Sequence, residues 1–451
     1  PPAPPPPPPF HEVVAGYAQL GQDLTSNGSE WFANTMRISA DGLVVAIGSP
    51  MSGPYGACTS GCGHVDVYAW DGNANQWVPR GADIQGDGEG VYDGFGSALA
   101  LSADGAILAV AAPFDDSSGR TNAGYAQVYA WDDNANAYVP RGQQLDGEGA
   151  YDGGSFHLTS AVALSADGTV LAVGAPRNDG PRELYSGGGH VRVYVYDAAA
   201  DRWDRRGSDI DGENAEDESG AWNAMALSAD GAIVAIGAPY NDGDAYPTET
   251  QRGHVRVFAW NGTAWGQRGT DLDGEQENDR FGNSVALSAD GAVVAIGAKL
   301  NDGDDHPTDS QKGHVRVFAW DGDAWGQRGT DLDGQQSGGR FGYNVAMSAD
   351  GAIVAIGAPY NDGDGPTGAQ RGRVRVFAWN GAAWQDVGGT LVGDKDQDNF
   401  GLVVAMSADG ATIAFGSQTN KGKVRVYAAQ NHSPPPPPPA PPAPPAPPAP
   451  P

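Results

Sequence analysis

Phe281-Gly-Asn-Ser-Val-Ala-Leu-Ser-Ala-Asp-Gly-Ala-Val-Val-Ala-Ile-Gly-Ala298 decides the fold, because near copies of it recur along the whole chain. Its centre, Ser-Ala-Asp-Gly, begins at Ser39, Ser102, Ser165, Ser228, Ser288, Ser348 and Ser407, a period of about 61 residues. A fixed period of this length belongs to a propeller, a solenoid or a bead array. On either side of Asp290-Gly291, Val285-Ala-Leu287 and Val293-Val-Ala-Ile296 are short β-branched runs. Such a pair reads as a hairpin turning on a glycine that tolerates positive φ. Each repeat holds a second hairpin: His254-Val-Arg-Val-Phe-Ala-Trp260 and Ala264-Trp-Gly-Gln-Arg268 flank Asn261-Gly262, and Asp321-Gly322 takes that place in the next repeat. No stretch has the helical periodicity of a crossover helix. Two hairpins in each of seven repeats predict an all-β, seven-bladed β-propeller of four-stranded antiparallel blades.

The composition suits that architecture. With 67 glycines, 34 prolines and 40% hydrophobic residues in 451, the chain is rich in turns and long enough to bury a large core. A formal charge of −30 excludes nucleic acid, whose phosphates are bound by Lys and Arg, and disfavours an anionic membrane surface. No apolar run approaches the ~20 residues that span a bilayer as a helix, so no membrane insertion is expected. The chain opens on Pro1 without a signal peptide, which predicts a processed chain or a piece of a longer one.

Three segments follow from the pattern. Residues 1–9 are a proline-rich arm that defaults to polyproline II, residues 10–432 the propeller, and residues 433–451 a second such arm. Tyr17-Ala-Gln-Leu-Gly-Gln-Asp-Leu24 matches Trp265-Gly-Gln-Arg-Gly-Thr-Asp-Leu272, a fourth strand, whereas Lys423-Val-Arg-Val-Tyr427 is a third strand with no fourth after it. The N-terminal strand is therefore expected to complete the last blade and remove its open edge. In the C-terminal arm Pro434 to Pro439 are unbroken, and then Ala440, Ala443, Ala446 and Ala449 recur every third residue. Three residues per turn place those alanines in one stripe along a stiff rod.

Phe95-Gly96, Phe281-Gly282, Phe341-Gly342 and Phe400-Gly401, each followed beyond a hairpin by Gly-Ala-Pro or a variant such as Gly297-Ala-Lys299, resemble the FG-GAP repeat. That repeat is the blade unit of integrin α-subunit propellers and of extracellular adhesion proteins. The resemblance spans residues 17–428 and implies an extracellular propeller serving adhesion or assembly. It also implies calcium in an Asp-x-Asp-x-Asp-Gly loop, but here that loop has shrunk to Ser-Ala-Asp-Gly, so calcium is not carried over to this turn. Other acids could offer the hard oxygens that calcium needs: Asp271, Asp273, Glu275 and Asp279, and the Asn241-Asp-Gly-Asp244, Asn301-Asp-Gly-Asp304 and Asn361-Asp-Gly-Asp364 loops. The same residues are turn formers by their own backbone chemistry.

Other recurring residues have two readings each. Arg192, Arg256, Arg316, Arg375 and Arg425 sit between valines, either paired with acids of a neighbouring blade or forming a basic ring for anions. Trp70 with Trp77, Trp260 with Trp265, Trp320 with Trp325 and Trp379 with Trp384 are either cross-strand pairs or indoles for stacking on sugars. His64, His190, His254 and His314 recur at one strand position, as structural residues do, and no nucleophile, base and orienter stand out, so the chain is not expected to be an enzyme or to require a cofactor. Cys58 and Cys62, the two cysteines of the chain, predict a small disulfide loop and an oxidising compartment.

Sequons at Asn27, Asn261 and Asn431 point to the same secretory route. The proline arms resemble those of hydroxyproline-rich glycoproteins of green-algal and plant cell walls. That likeness implies hydroxylated and O-glycosylated prolines at Pro4, Pro5, Pro6, Pro7, Pro8, Pro434, Pro435, Pro436, Pro437, Pro438, Pro439, Pro441, Pro442, Pro444 and Pro445. The expected function is a non-enzymatic extracellular structural glycoprotein: a propeller bead whose rigid, glycosylated arms join it to copies of itself or to other subunits of a cell-surface, cell-wall or flagellar filament. The alternative is a carbohydrate-binding or calcium-dependent adhesion module.

Overall fold

Short β-branched runs separated by glycine turns form seven antiparallel sheets in sequence order. The computed structural model describes residues 16–430 apart from 26–31, 52–61, 87–92, 117–118, 120, 149–160, 179–186, 222, 244–249, 304–309, 390 and 418–421. Blades 1 to 6 span residues 35–85, 98–146, 162–211, 225–273, 284–333 and 344–392. Blade 7 joins residues 403–429 to the N-terminal segment.

Blade 5 shows the pattern. Its inner strand is Ser284–Leu287, its second Val293–Ala298 and its third His314–Trp320; the outer strand comes in two pieces, Trp325–Gln327 and Leu332–Asp333. Trp320 faces Trp325 whereas Val315 faces Leu332, so the outer strand carries two extra residues and bulges over 328–331. The second strand is buried along its whole length because neighbouring blades cover both its faces. The core lies in the seams: Phe281, Val285 and Ile296 pack with Val255 and Leu272 of blade 4. Among the described residues there is no α-helix.

Ser-Ala-Asp-Gly locks its own turn. Ser288 Oγ donates to Asp290 at 2.6 Å and accepts the Val293 N–H at 2.9 Å, while Asp290 accepts the Ala292 N–H at 2.9 Å. Its alanine reaches outward: the Ala289 N–H donates to the Ala349 carbonyl of the next blade at 2.8 Å. The same bond runs from Ala40 to Ala103, to Ala166, to Ala229, to Ala289, to Ala349, to Ala408 and back to Ala40, a closed belt on one face of the propeller.

The Phe-Gly and Gly-Ala-Pro glycines meet across the seams. A methyl on Gly297 would overlap the Gly342 carbonyl of the next blade, and one on Gly237 that of Gly282. Phe281, beside the Gly282 contact, is fully buried.

The N-terminal strand completes blade 7 as expected. Tyr17–Gln19 pairs with Tyr427–Ala429, and Leu24–Thr25 with Lys423–Val424. Tyr17 donates its hydroxyl to the Gly410 carbonyl at 2.8 Å, and Arg425 bridges to Asp23 at 2.9 Å. Both proline arms lie outside the described residues, as do Asn27, Cys58 and Asn431.

Candidate functional site

Each third strand begins at the face that bears the long loops and ends at the face of the Ser-Ala-Asp-Gly belt, and each end carries its own recurring set of side chains. At the belt end stand the tryptophan pairs, with ring centroids 5.4 Å apart for Trp70–Trp77, 5.5 Å for Trp260–Trp265, 5.3 Å for Trp320–Trp325 and 5.4 Å for Trp379–Trp384. They are cross-strand pairs whose indoles are engaged across the seam. Trp325 donates to the Arg268 carbonyl of blade 4 at 2.7 Å, and the Arg268 guanidinium lies 4.7 Å from the Trp320 ring and donates to the Gly291 carbonyl at 2.8 Å. Arg206 and Arg328 repeat this clasp. The rings offered to a sugar by the alternative reading are thus partly covered by arginine and by the preceding blade.

At the loop end the Val-Arg-Val arginines and the histidines meet acids from the preceding blade or from their own outer strand. Arg256 lies 3.4 Å from Glu213 and donates to the Asp211 carbonyl at 2.6 Å; Arg316 lies 3.6 Å from Glu275 and 3.9 Å from Asp331. Arg192 pairs with Glu148 and with Asp209, Arg375 with Asp386 at 2.9 Å, and Arg425 with Asp394 and Asp23. The Arg425 hydrogen bonds hold the Asp394 carboxyl down at about 2. These arginines are charge-paired members of the seams rather than an open basic ring.

The acids expected to gather around calcium do not converge. Asp271 stands with Glu213 and His254, whereas Glu275 stands with His314 and Asp331 in the next seam; a third set is His190, Asp209 and Asp211. Ligand atoms within each set lie within 4.8 Å of one another, a spacing a metal ion could use. Each set, however, already faces a guanidinium, from Arg192, Arg256 or Arg316, which neutralises the same carboxylates. Asp273 gives its carbonyl to Arg316 at 3.1 Å. Burial, more than the adjacent arginines, lowers His254 and His314 to about 4, so both are neutral at pH 7. His64 contacts Asp66 at 3.1 Å.

Asp279 is spent on the backbone. It accepts from the Gln276 N–H at 2.9 Å and from the Asn301 side-chain amide at 3.1 Å, and Asn301 in turn accepts the Gly303 N–H at 2.7 Å. Asn301 thereby docks its turn on the preceding interblade loop, a role Asp217 and Asn241 repeat one blade earlier at 3.0 Å, whereas Asp244 and Asp304 lie outside the described residues. Burial raises Asp279 from its ordinary 3.8 to about 6. The folded chain thus holds this proton more tightly than the unfolded chain, a stabilisation present below pH 3.8 and lost as pH rises through about 6. Asp279→Asn keeps an acceptor and removes the charge. Its melting temperature relative to the parent is expected to be higher at pH 7.5 than at pH 4; equal differences at both pH values would refute the assignment.

Cys62 is disulfide-bonded, and Cys58, the chain's other cysteine, lies outside the described residues. Asn261 is exposed; its side-chain oxygen accepts the Thr263 and Ala264 N–H groups at 2.9 Å each, which fixes the turn. The cleft between blades 2 and 3, walled in part by Tyr125, His190 and Tyr194, holds about 40 Å³, room for a few waters.

Sequence reasoning missed a group on the loop face where Arg280, Lys299 and Arg340 stand among Tyr240, Tyr343 and Tyr360. Its signal was present as a departure from the repeat, the lysine that replaces proline in Gly297-Ala-Lys299.

A family model described as the FG-GAP repeat matches residues 270–318, which run from the end of blade 4 into the third strand of blade 5. The fold is similar to that of the Cps50 (Swd1) β-propeller domain of Myceliophteria thermophila, with a TM-score of 0.51 and 12% identity over 90% of this chain and 99% of that one. It is also similar to a protein provisionally described as a 6-phosphogluconolactonase from Bacteroides uniformis, with a TM-score of 0.53 and 12% identity over 83% and 89%. At that identity the likeness shows the propeller alone. No curated protein matches the chain in sequence.

Proposed function

We propose that the chain is a non-enzymatic extracellular structural glycoprotein, a propeller bead joined to copies of itself or to other filament subunits through rigid proline arms that carry hydroxyl-linked sugars. One observation carries this reading. The Gln430 N–H donates to the Gly16 carbonyl at 3.2 Å, so the two ends of the described propeller stand side by side at the belt-face end of blade 7. A net charge of −30 opposes association through bare propeller surfaces, whereas a proline rod loses little conformational entropy on docking. The FG-GAP match supports the extracellular setting, as does the exposed sequon at Asn261. The seam histidines recur as neutral, buried residues beside arginine, which suits packing rather than catalysis.

Electron micrographs of the full chain and of residues 10–431 alone test the reading, alongside mass spectrometry of the native prolines. The full chain is expected to assemble linearly while the trimmed propeller stays a folded monomer. Fibres formed equally well by the trimmed propeller would remove the arms from this role.

A further inference from the structure

The chain carries 56 acidic and 26 basic side chains. Arg280, Lys299 and Arg340 lie close enough at the loop-bearing ends of blades 5 and 6 for both arginines to act on the lysine charge, and among the described residues no carboxylate forms an ion pair with any of the three. Each instead lies over a tyrosine ring, Arg280 4.3 Å from Tyr240, Lys299 4.9 Å from Tyr343 and Arg340 4.8 Å from Tyr360. Arg280 also donates to the Tyr240 hydroxyl at 2.9 Å and to Gln251 at 3.0 Å, while its Nε is buried without a partner. Arg340 reaches Gln311 only at 3.3 and 3.4 Å. The Tyr343 and Tyr360 rings are 6.1 Å apart, which joins the lysine and Arg340 halves of the group. Burial and the two arginines lower the Lys299 amine to about 8.

Packing alone does not account for this arrangement. Arg280 and Arg340 both sit at φ 54°, in the left-handed region that costs an ordinary side chain about 1 kcal/mol or more. At the same position before Phe-Gly, blade 2 uses Gly94 and blade 7 uses Asn399, the residues that tolerate that conformation best. Lys299 stands where blades 2, 3, 4 and 6 have Pro113, Pro176, Pro239 and Pro359. Two strained arginines and one displaced proline thus converge on one spot, and mutual repulsion of the three charges adds to the cost.

We propose that Arg280, Lys299 and Arg340, with Tyr240, Tyr343 and Tyr360, bind an anionic saccharide, a short sugar chain bearing carboxylate or sulfate groups. The guanidinium forks match either anion bidentately, and the ammonium adds a point charge between them. All six residues are half-buried, so the cations are partly desolvated yet open to the loop face. The tyrosines and the neighbouring Gln251 and Gln311 suit the C–H faces and hydroxyls of a sugar better than the backbone of an acidic peptide, which would seek a free strand edge. The field of a chain at −30 repels long polyanions and so favours a short one. The site does not depend on the proline arms, and its failure would leave the filament reading intact.

Titration calorimetry of the full chain at low salt, with a galacturonic acid trimer and a sulfated disaccharide as probes, tests the proposal. Binding of at least one is expected. Arg280→Asn combined with Arg340→Asn, the side chain blade 7 itself uses there, should weaken it by at least about tenfold with no fall in melting temperature. Lys299→Met gives an independent reading should the double variant misfold, with an expected loss of at least about fivefold. The proposal is overturned by no heat from either probe, by unchanged affinity in the variants, or by equal binding of a neutral galactose trimer or a glutamate peptide.

Discussion

Deletion of residues 10–26 is expected to lower the melting temperature by about 10 °C or more, or to prevent folding, because it removes the outer strand of blade 7 and with it the closure of the ring. Leu24 is 2% exposed and packs with Val45, Ile47 and Trp77 of blade 1, so its loss leaves a cavity in the seam. Tyr17 loses its bond to Gly410, and the Trp77 indole loses the Leu20 carbonyl at 3.0 Å. Arg425 keeps Asp394 but loses Asp23, leaving a buried guanidinium with one carboxylate where it had two. The bare Lys423–Ala429 edge would then be open to a second chain. A thermal melt of the truncated chain that coincides with the parent's would show that blade 7 does not need this strand.

Gly297→Ala should cost about 3 kcal/mol. The added methyl falls on the Gly342 carbonyl and the Ser284 hydroxyl, and the carbonyl belongs to the backbone of the next blade, which cannot turn away like a flexible side chain. Gly266 is the control. It sits in the blade 4 outer strand opposite Ala259, and its added methyl meets nothing within 4 Å. Gly266→Ala is therefore expected to be neutral or to stabilise by about 0.5 kcal/mol through the unfolded chain. Denaturant titration of both variants decides the matter: equal midpoints would mean that the Phe-Gly to Gly-Ala-Pro contact does not constrain the seam.

Ring closure and blade number were legible because their signals are local or repeated. Ser288 and Asp290 bond within their own turn, and such turns need nothing from the rest of the chain to be recognised. The seams were not legible to the same degree. Glu213 meets His254, and Trp325 meets the carbonyl of Arg268, across dozens of residues and from different blades, so adjacency in sequence misassigned Asp271, Asp273, Glu275 and Asp279 to one group. The outer-strand bulge was invisible for a related reason. Arg268-Gly-Thr-Asp271 reads as strand continuation, and only the tryptophans of the next blade, against which Gly269 packs, require it to swing out. Lys299 was visible as an oddity, but its neighbours Arg280, Arg340 and Tyr343 come from the segments that lead into two different blades.

The pairing of Tyr17 with Ala429, and of Gly16 with Gln430 just beyond it, fixes how the bead would carry a load. Tension along the two arms enters the sheet at adjacent residues, so it acts across the end of an antiparallel pair and strains its bonds one after another. Shear along the strands would have loaded them together. A bead attached in this way would hang beside the line of pull, and peeling of that pair would be its easiest mode of opening. Release of residues 16–25 would pay out roughly 34 Å of slack before any other blade felt the force.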